Sequence, residues 1–436
     1  MKRLLLCLLL LSTSLHLRAQ SPSSAAPTPS AQLHEYFQAL ANLQQFNGNV
    51  LVASQGQELL RGTYNIPGQS DSLRVGPDSR FIIASVSKLF VRYGVLLLAQ
   101  QGRLSLQDPV SKFIPDFPRG RDITVAHLFH HQSGLPRELT NHKDLGQVSL
   151  ARTIELARHE TLLFEPGART QYSNVGFFLL HHIVDRASPR GYAHFVQHQI
   201  LRPFGMKHTG EFRAARRVPR FAHGFTPEAN RRIRPVDALA INRFETGNYY
   251  ATLADLARFA DGLFSGRVLA PAAAQRLLNA EGAVVQAGGR PGYRAYFYLH
   301  PARRLTFLFV SNFSGLPVEK IIRDVPAIVA GEPYQVPVAV NRQPVTVPDA
   351  LLQRYVGRFQ LLADPAQVFE VRVDGGQLLL LEKSGEQTRF RPDSETTFFD
   401  DPQSAEGLRF DPDPATQTYR LVLLSDGLTL PTLRLP

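Results

Sequence analysis

Phe81-Ile82-Ile83-Ala84-Ser85-Val86-Ser87-Lys88-Leu89-Phe90 decides how the rest of the chain is read. Arg80 to Ala84 is a short apolar strand. From Ser85 to about Gln100 the pattern turns helical. Leu89, Phe90, Val95, Leu96, Leu97 and Leu98 cover most of the circumference, which places this helix at the centre of a core. Of the seven lysines, only Lys88 has a serine three residues before it. Three residues is nearly one helical turn, so the Lys88 amine can lie beside the Ser85 hydroxyl. Burying an ammonium on so apolar a helix is costly. A lowered pKa would let that amine accept the serine proton. At the helix start, Ser85 would also have backbone N–H groups and the positive dipole end close by, both favourable to developing negative charge. On these two residues alone, a serine helix cap with Lys88 reaching solvent reads as well.

Tyr172-Ser173-Asn174 shifts that balance. It follows the turn Glu165-Pro166-Gly167 and precedes an apolar helix starting near Gly176. A tyrosine on such a loop can face a cleft, share a proton with the Ser85–Lys88 pair, or protonate a leaving group. Asn174 can hold Lys88 or a substrate amide.

Strand-like runs flank this centre. Gly48–Ala53 and Glu58–Tyr64 surround Gln55-Gly56, a hairpin signal. Ala283–Ala287, Tyr293–Leu299 and Leu305–Asn312 supply further strands. Helical periodicity predicts segments at about 32–46, 123–131, 150–160, 175–187, 191–201, 255–264, 272–278 and 318–329, the last with a kink expected at Pro326. Strands, then helices, then strands and a helix suit an α+β layer rather than alternating βαβ units. Four prolines punctuate 332–349, which reads as a linker. Beyond it, Val368–Val373, Gln377–Leu381 and Tyr419–Leu424 are strand-length, and Asp374-Gly375-Gly376 joins the first two as a hairpin. The segment 350–436 is therefore expected to be a small all-β domain, after a main domain over 32–331.

The first nineteen residues carry Lys2 and Arg3, an apolar run from Leu4 to Leu11, and a small Ala19 at the polar end. That pattern predicts a secretory signal peptide over 1–19, followed by a Ser/Pro/Ala-rich spacer over 20–31 and an exported, periplasmic or secreted, protein. Cleavage would remove the single cysteine, Cys7, and with it any disulfide or thiol nucleophile. It would lower the net charge from +11 to +8. The remaining excess is arginine scattered along the chain. No basic stripe with interleaved aromatics appears, so nucleic acid is not an expected partner. With 44% apolar and 19% charged residues, the chain is globular rather than disordered.

At this point the sequence resembles the serine β-lactamase and penicillin-binding protein superfamily, in particular its class C-like branch with D-aminopeptidases, esterases and D-Ala-D-Ala carboxypeptidases. The resemblance rests on Phe81–Lys88, His131-Gln-Ser-Gly-Leu-Pro136, Phe164-Glu-Pro-Gly167, Tyr172-Ser-Asn174, Pro203-Phe-Gly-Met206, Thr252–Ala257 and Gly289-Arg-Pro-Gly-Tyr293. It implies an antiparallel sheet flanked by helices, with a helical subdomain. It also implies that Ser85 becomes acylated, that Lys88 and Tyr172 shuttle its proton, and that Asn174 binds substrate. The family's third motif is Lys or His, then Thr or Ser, then Gly. Here Gln286-Ala287-Gly288 stands in its place. A neutral Gln286 attracts no substrate carboxylate by charge, yet the N–H groups of Gly289 and Ser85 can still form an oxyanion hole. Gln286, Gly288 and Gly289 are thus expected to line the substrate.

The function expected is a serine hydrolase acting on an ester or amide in a small molecule or peptide, with cell-envelope peptidoglycan a candidate and weak β-lactamase activity compatible. No cofactor or metal is expected. His127 and His131, like His194 and His198, are four apart without a bracketed glutamate, and they read as helix-surface or cap histidines. The rival is a non-catalytic, penicillin-binding-like envelope or sensor protein, motivated by Gln286 and Ala287. Oligomeric state is not encoded in these patterns.

Overall fold

The computed structural model describes residues 27–436, apart from 141, 143–147, 214–216, 229–231, 240–246, 363, 365–366, 383–384, 386, 415–417 and 426–427. The expected signal peptide, and the spacer up to residue 26, lie outside the described residues.

The architecture is α+β. A five-stranded antiparallel sheet runs in the order Gln57–Tyr64, Gly48–Ser54, Leu305–Ser311, Tyr293–His300, Val284–Arg290. Its centre joins the two ends of the domain, with Gly48 opposite Ser311 and Ser54 opposite Leu305. The alternation of side chains across each strand feeds two cores. On one face, Phe37, Leu40 and Phe309 pack with Ile321 and Ile328 beneath the helices Pro29–Asn42 and Val318–Ala330. Tyr36 donates there to the buried carboxylate of Asp324 at 3.0 Å, and Lys320 and Arg323 pair with the same carboxylate. On the other face, the helices Lys88–Gln100 and Asn174–Ala187 build the larger core.

Several boundaries differ from expectation. The first helix begins at Pro29, inside the stretch read as spacer, because Thr28 caps it and Pro29 suits a first helical position. Ser85 does not open the α-helix. It lies in a 3-10 turn, Ala84–Ser87, and the α-helix starts at Lys88. The helix carrying Pro326 is as expected: it runs from Val318 to Ala330 with the proline inside it, and stops at Gly331 with φ of 72°. Short strands at Gly210–Glu211, Gly224–Pro227, Ile233–Val236 and Tyr249–Ala251 were not expected; two to four residues carry too little alternation to register.

The carboxy-terminal domain is a closed eight-stranded barrel of antiparallel neighbours, from Gly357–Leu361 to Leu428–Leu435. Its interior is filled by Phe359, Val371, Leu378, Phe410 and Leu421. An unexpected helix, Asp349–Tyr355, packs against this core, with the Tyr355 ring stacked on Phe410 at 4.2 Å.

One buried histidine ties stability to pH. His181 is buried on Asn174–Ala187 against the Tyr192 ring at 3.9 Å, and burial pushes its pKa from 6.5 to about 3. Below pH 6.5 the unfolded chain takes up a proton that the folded chain refuses, so stability falls as pH falls. Between the unfolded pKa and pH 4 the loss is about 3 kcal/mol, at roughly 1.4 kcal/mol per unit. His181→Phe should flatten that loss, as read by urea unfolding at pH 7 and pH 4.

Candidate active site

The site begins with a constrained turn. Strand Phe81–Ile82 pairs with Tyr249–Ala251, and the Ile83 N–H donates to the Tyr249 carbonyl at 3.0 Å. The chain then enters the 3-10 turn through Ala84, whose φ of 44° is costly for a residue with a side chain. In 3-10 geometry residues three apart eclipse, which stacks Lys88 directly over Ser85. The Lys88 amine lies 2.8 Å from Ser85 Oγ and donates to it. From the opposite loop, the Tyr172 phenol donates to the same oxygen at 3.0 Å. The structure therefore brings Ser85, Lys88 and Tyr172 together.

Lys88 is only 4% exposed. The rings of Tyr172 and Phe177 cover it at 5.3 and 5.7 Å. Burial is the largest influence on its pKa and lowers it. Tyr172 opposes that shift, Arg290 adds to it, and Glu138 opposes it. A lysine held in this way spends more of its time as the neutral amine than one in water.

Tyr172 is positioned by two loops that zip together. The Gly167 N–H donates to the Gln132 carbonyl at 2.8 Å, Gln171 N–H to the His131 carbonyl at 2.9 Å, and Asn174 N–H to the Arg137 carbonyl at 2.8 Å. Ser173 caps the following helix by accepting from Gly176 N–H, and its hydroxyl donates to the Pro136 carbonyl. Gly134 is required here, because a Cβ would meet the Phe164 carbonyl at 2.2 Å. His131 corrects the expectation of a surface or cap histidine. Its ring stacks on both Tyr172 and Phe177, at 4.5 and 4.7 Å, and Nδ1 accepts from the Ser173 N–H. Burial and the charge of Lys88 push its pKa down to about 3, so it stands neutral behind the phenol. His127 does cap, through Thr124. His194 and His198 stack on each other at 3.9 Å.

Asn174 follows Tyr172 by two positions but does not hold Lys88. Its Nδ2 donates to Glu138 Oε1 at 2.6 Å. Glu138, Arg137 and Arg290 belong to the site and were not singled out in the sequence, since lone charged residues carry no spacing signal. The Arg137 guanidinium lies 5.2 Å from the Tyr172 ring centre. Arg290 is bonded to Asn248 Oδ1 at 3.3 Å, and burial lowers its pKa to about 10.

The other wall is the edge strand Val284–Arg290. It ends in a two-residue hairpin, with Arg290 opposite Tyr293. In such a turn the closing pair exchanges hydrogen bonds, as does every second pair after it. Gly288 is therefore tied to Ala295, while Gly289 and Ala287 aim their N–H and C=O groups off the sheet edge. Gly288 faces the Ser85 turn at close quarters, where a Cβ would lie 2.3 Å from the Ile83 carbonyl and 3.2 Å from the Ser85 nitrogen. Ser85 sits in a first turn, where backbone N–H groups have no carbonyl behind them. Its N–H and that of Gly289 are the candidate oxyanion donors. The Gln286 side chain turns back and donates to the Ala287 carbonyl at 2.9 Å. Behind this strand, Gly288 and Gly289 share a cavity of about 560 Å³ with Asp401, Ser404 and Glu406 of the barrel.

The remaining matched stretches serve the frame. Thr252 caps its helix, and buried Asp255 accepts from His208 N–H and the Thr209 hydroxyl. The Tyr293 phenol donates to the Ala222 carbonyl at 3.0 Å.

Comparison with known proteins bears on the family and the fold. The family model described as Beta-lactamase matches residues 34–330. Penicillin-binding protein 4* of Bacillus subtilis is 28% identical over 418 residues, covering 84% of this chain and 90% of that protein. Among solved structures, the octameric penicillin-binding protein homologue of Pyrococcus abyssi superposes with a TM-score of 0.63 at 19% identity, covering 92% of this chain and 99% of that one. A D-amino acid amidase of Ochrobactrum anthropi reaches 0.59 at 20% identity, covering 69% and 99%. The fold, the order of its motifs and the matched family model lead to one conclusion: this chain belongs to the Beta-lactamase family.

Proposed function

We propose that the protein is an exported serine hydrolase that cleaves an amide or ester through an acyl-enzyme on Ser85. The observation that carries this reading is the convergence of a buried amine and a phenol on one hydroxyl oxygen, at 2.8 and 3.0 Å. Neutral Lys88 accepts the Ser85 proton as Oγ attacks the carbonyl carbon. The N–H groups of Ser85 and Gly289 hold the resulting oxyanion. Tyr172 delivers a proton to the departing amine or alcohol, the C–N or C–O bond breaks, and the acyl group stays on Ser85. Water then attacks the ester, and the same groups return the proton to Oγ. Similarity to penicillin-binding proteins and a D-amino acid amidase supports peptides and amides of the peptidoglycan type as the substrate class. Gln286 supports an acyl-transfer site that does not depend on attracting a substrate carboxylate with a third-motif cation.

A second reading is an envelope-binding protein that is acylated and not turned over. The fold-back of Gln286 onto Ala287 favours it, because the Gln286 donor is already engaged by the neighbouring carbonyl. Fluorophosphonate treatment of the full chain, followed by peptide mass mapping, tests both. The expected result is an adduct on the peptide carrying Ser85, with multiple turnovers of activated esters. Labelling without turnover would favour the binding protein. An adduct confined to another residue would remove Ser85 from the mechanism.

A further inference from the structure

A second cavity, of about 690 Å³, takes no wall from Ser85, Lys88, Tyr172 or Gly289. One side of it is the small sheet Phe81–Ile82, Tyr249–Ala251, Gly210–Glu211, with Arg80 entering just before the first strand. Another side is the helix Gly191–Phe195 and its π-helical continuation Val196–Leu201, which bring in His194 and His198. Lys207 and Arg213 add two more basic side chains. Among the described residues lining the cavity, Glu211 is the single carboxylate, and Arg213 already holds it at 2.6 Å.

That leaves Arg80 and Lys207 without a counter-charge. Among the described residues, no carboxylate lies within 4 Å of either. Arg80 donates from Nη2 to His208 Nδ1 at 3.0 Å, a neutral acceptor, and its buried Nε has no hydrogen-bond partner. The two histidines are crowded in turn. Their rings stack at 3.9 Å, and His198 Nδ1 donates to the His194 carbonyl at 2.9 Å. The proton affinity of His194 is lowered, first by partial withdrawal from water and then by the charges of Arg190, His198 and Arg202. Like charges gathered around one hollow repel, and polar lining that finds no partner in the protein costs free energy. An anion seated between them relieves both. Arginine and lysine bind phosphoryl oxygens through charge-assisted hydrogen bonds, and a tetrahedral dianion can meet several donors at once. The volume also leaves room for a small polar body, beside which Gln197 stands.

We propose that this cavity is a binding site for a phosphate ester, with Arg80 and Lys207 holding the phosphoryl group and His194 and His198 beside it. The site is independent of the acyl-enzyme reading, since it shares no residue with it.

The test is isothermal titration of the full-length protein with inorganic phosphate and with glycerol 3-phosphate, at constant ionic strength set by sodium chloride. Both ligands should bind with one site per chain. Arg80→Gln should weaken both by about 10- to 100-fold, the range for a hydrogen bond to a charged group. Lys207→Gln should weaken them by about 2- to 5-fold, as for an exposed ion pair. Lys207 is exposed, so its variant keeps the test open if Arg80→Gln fails to fold. Co-sedimentation with vesicles of equal parts phosphatidylglycerol and phosphatidylcholine separates a pocket from a charged surface. Binding to vesicles with no heat from glycerol 3-phosphate would overturn the pocket in favour of a membrane-facing basic patch. No binding of either soluble ligand, or affinities unmoved by Lys207→Gln and by a folded Arg80→Gln, would overturn the assignment.

Discussion

Lys88→Met should slow acylation of Ser85 by an activated ester about 100- to 10,000-fold, the span of general-base contributions. Met has nearly the same length and no proton affinity, so packing against Phe177 and Tyr172 survives while the base is lost. The pH dependence gives the sharper readout. The Lys88 pKa is lowered first by burial. As pH falls through that lowered value the amine becomes an ammonium, can no longer accept a proton, and the wild-type rate falls. Lys88→Met should lack that limb. Stability follows the same logic. Between the lowered folded pKa and the ordinary unfolded one, the unfolded chain holds the extra proton, so wild-type stability rises with pH across that window. The variant should lose this slope, as measured by guanidinium unfolding at several pH values. A rate within a few-fold of wild type, with the acid limb retained, would take Lys88 out of the base role.

Gly288→Ala should lower turnover about 100-fold. The added Cβ would sit 2.3 Å from the Ile83 carbonyl oxygen, a backbone atom that cannot step aside. Relief requires the edge strand and the Ser85 turn to part by about 1 Å, and a misplacement of that size costs about 100-fold in a positioned reaction. The neighbouring Gly289→Ala is the comparison. Its Cβ would approach nothing closer than the Arg294 side chain at 3.7 Å, and its N–H is kept, so the loss there should be much smaller. The comparison needs initial rates and a thermal melt for each protein. Equal losses at both positions would mean that close approach at 288 is not what the site requires.

The large elements were legible because they are long and strongly patterned. The helix after Lys88, the helix after Ser173 and the five sheet strands each carry many residues of one periodicity. The meeting of Ser85, Lys88 and Tyr172 was legible from the turn spacing of the first two and the loop setting of the third, while their roles came from the family resemblance. The details that shape the cleft were not. The eclipsed turn at Ala84–Ser87 looks helical in sequence, since one residue with φ of 44° leaves no compositional trace. His131 reads as a cap residue until the loop carrying Tyr172 folds onto it. Glu138 is one glutamate among many until Asn174 selects it. Barrel closure escaped because alternating strands say which face is buried, and not which edges meet.

The order of strands has a consequence for biosynthesis. Ser85 and Lys88 leave the ribosome early, but the strand against Gly288 and the partner of Gly48–Ser54 arrive some two hundred residues later. On the proposed reading, a nascent or truncated chain that stops short of residue 284 carries Ser85 without the wall that would complete its site. Pairing of such distant segments is slow, so the proposed site is assembled only when most of the main domain has been made.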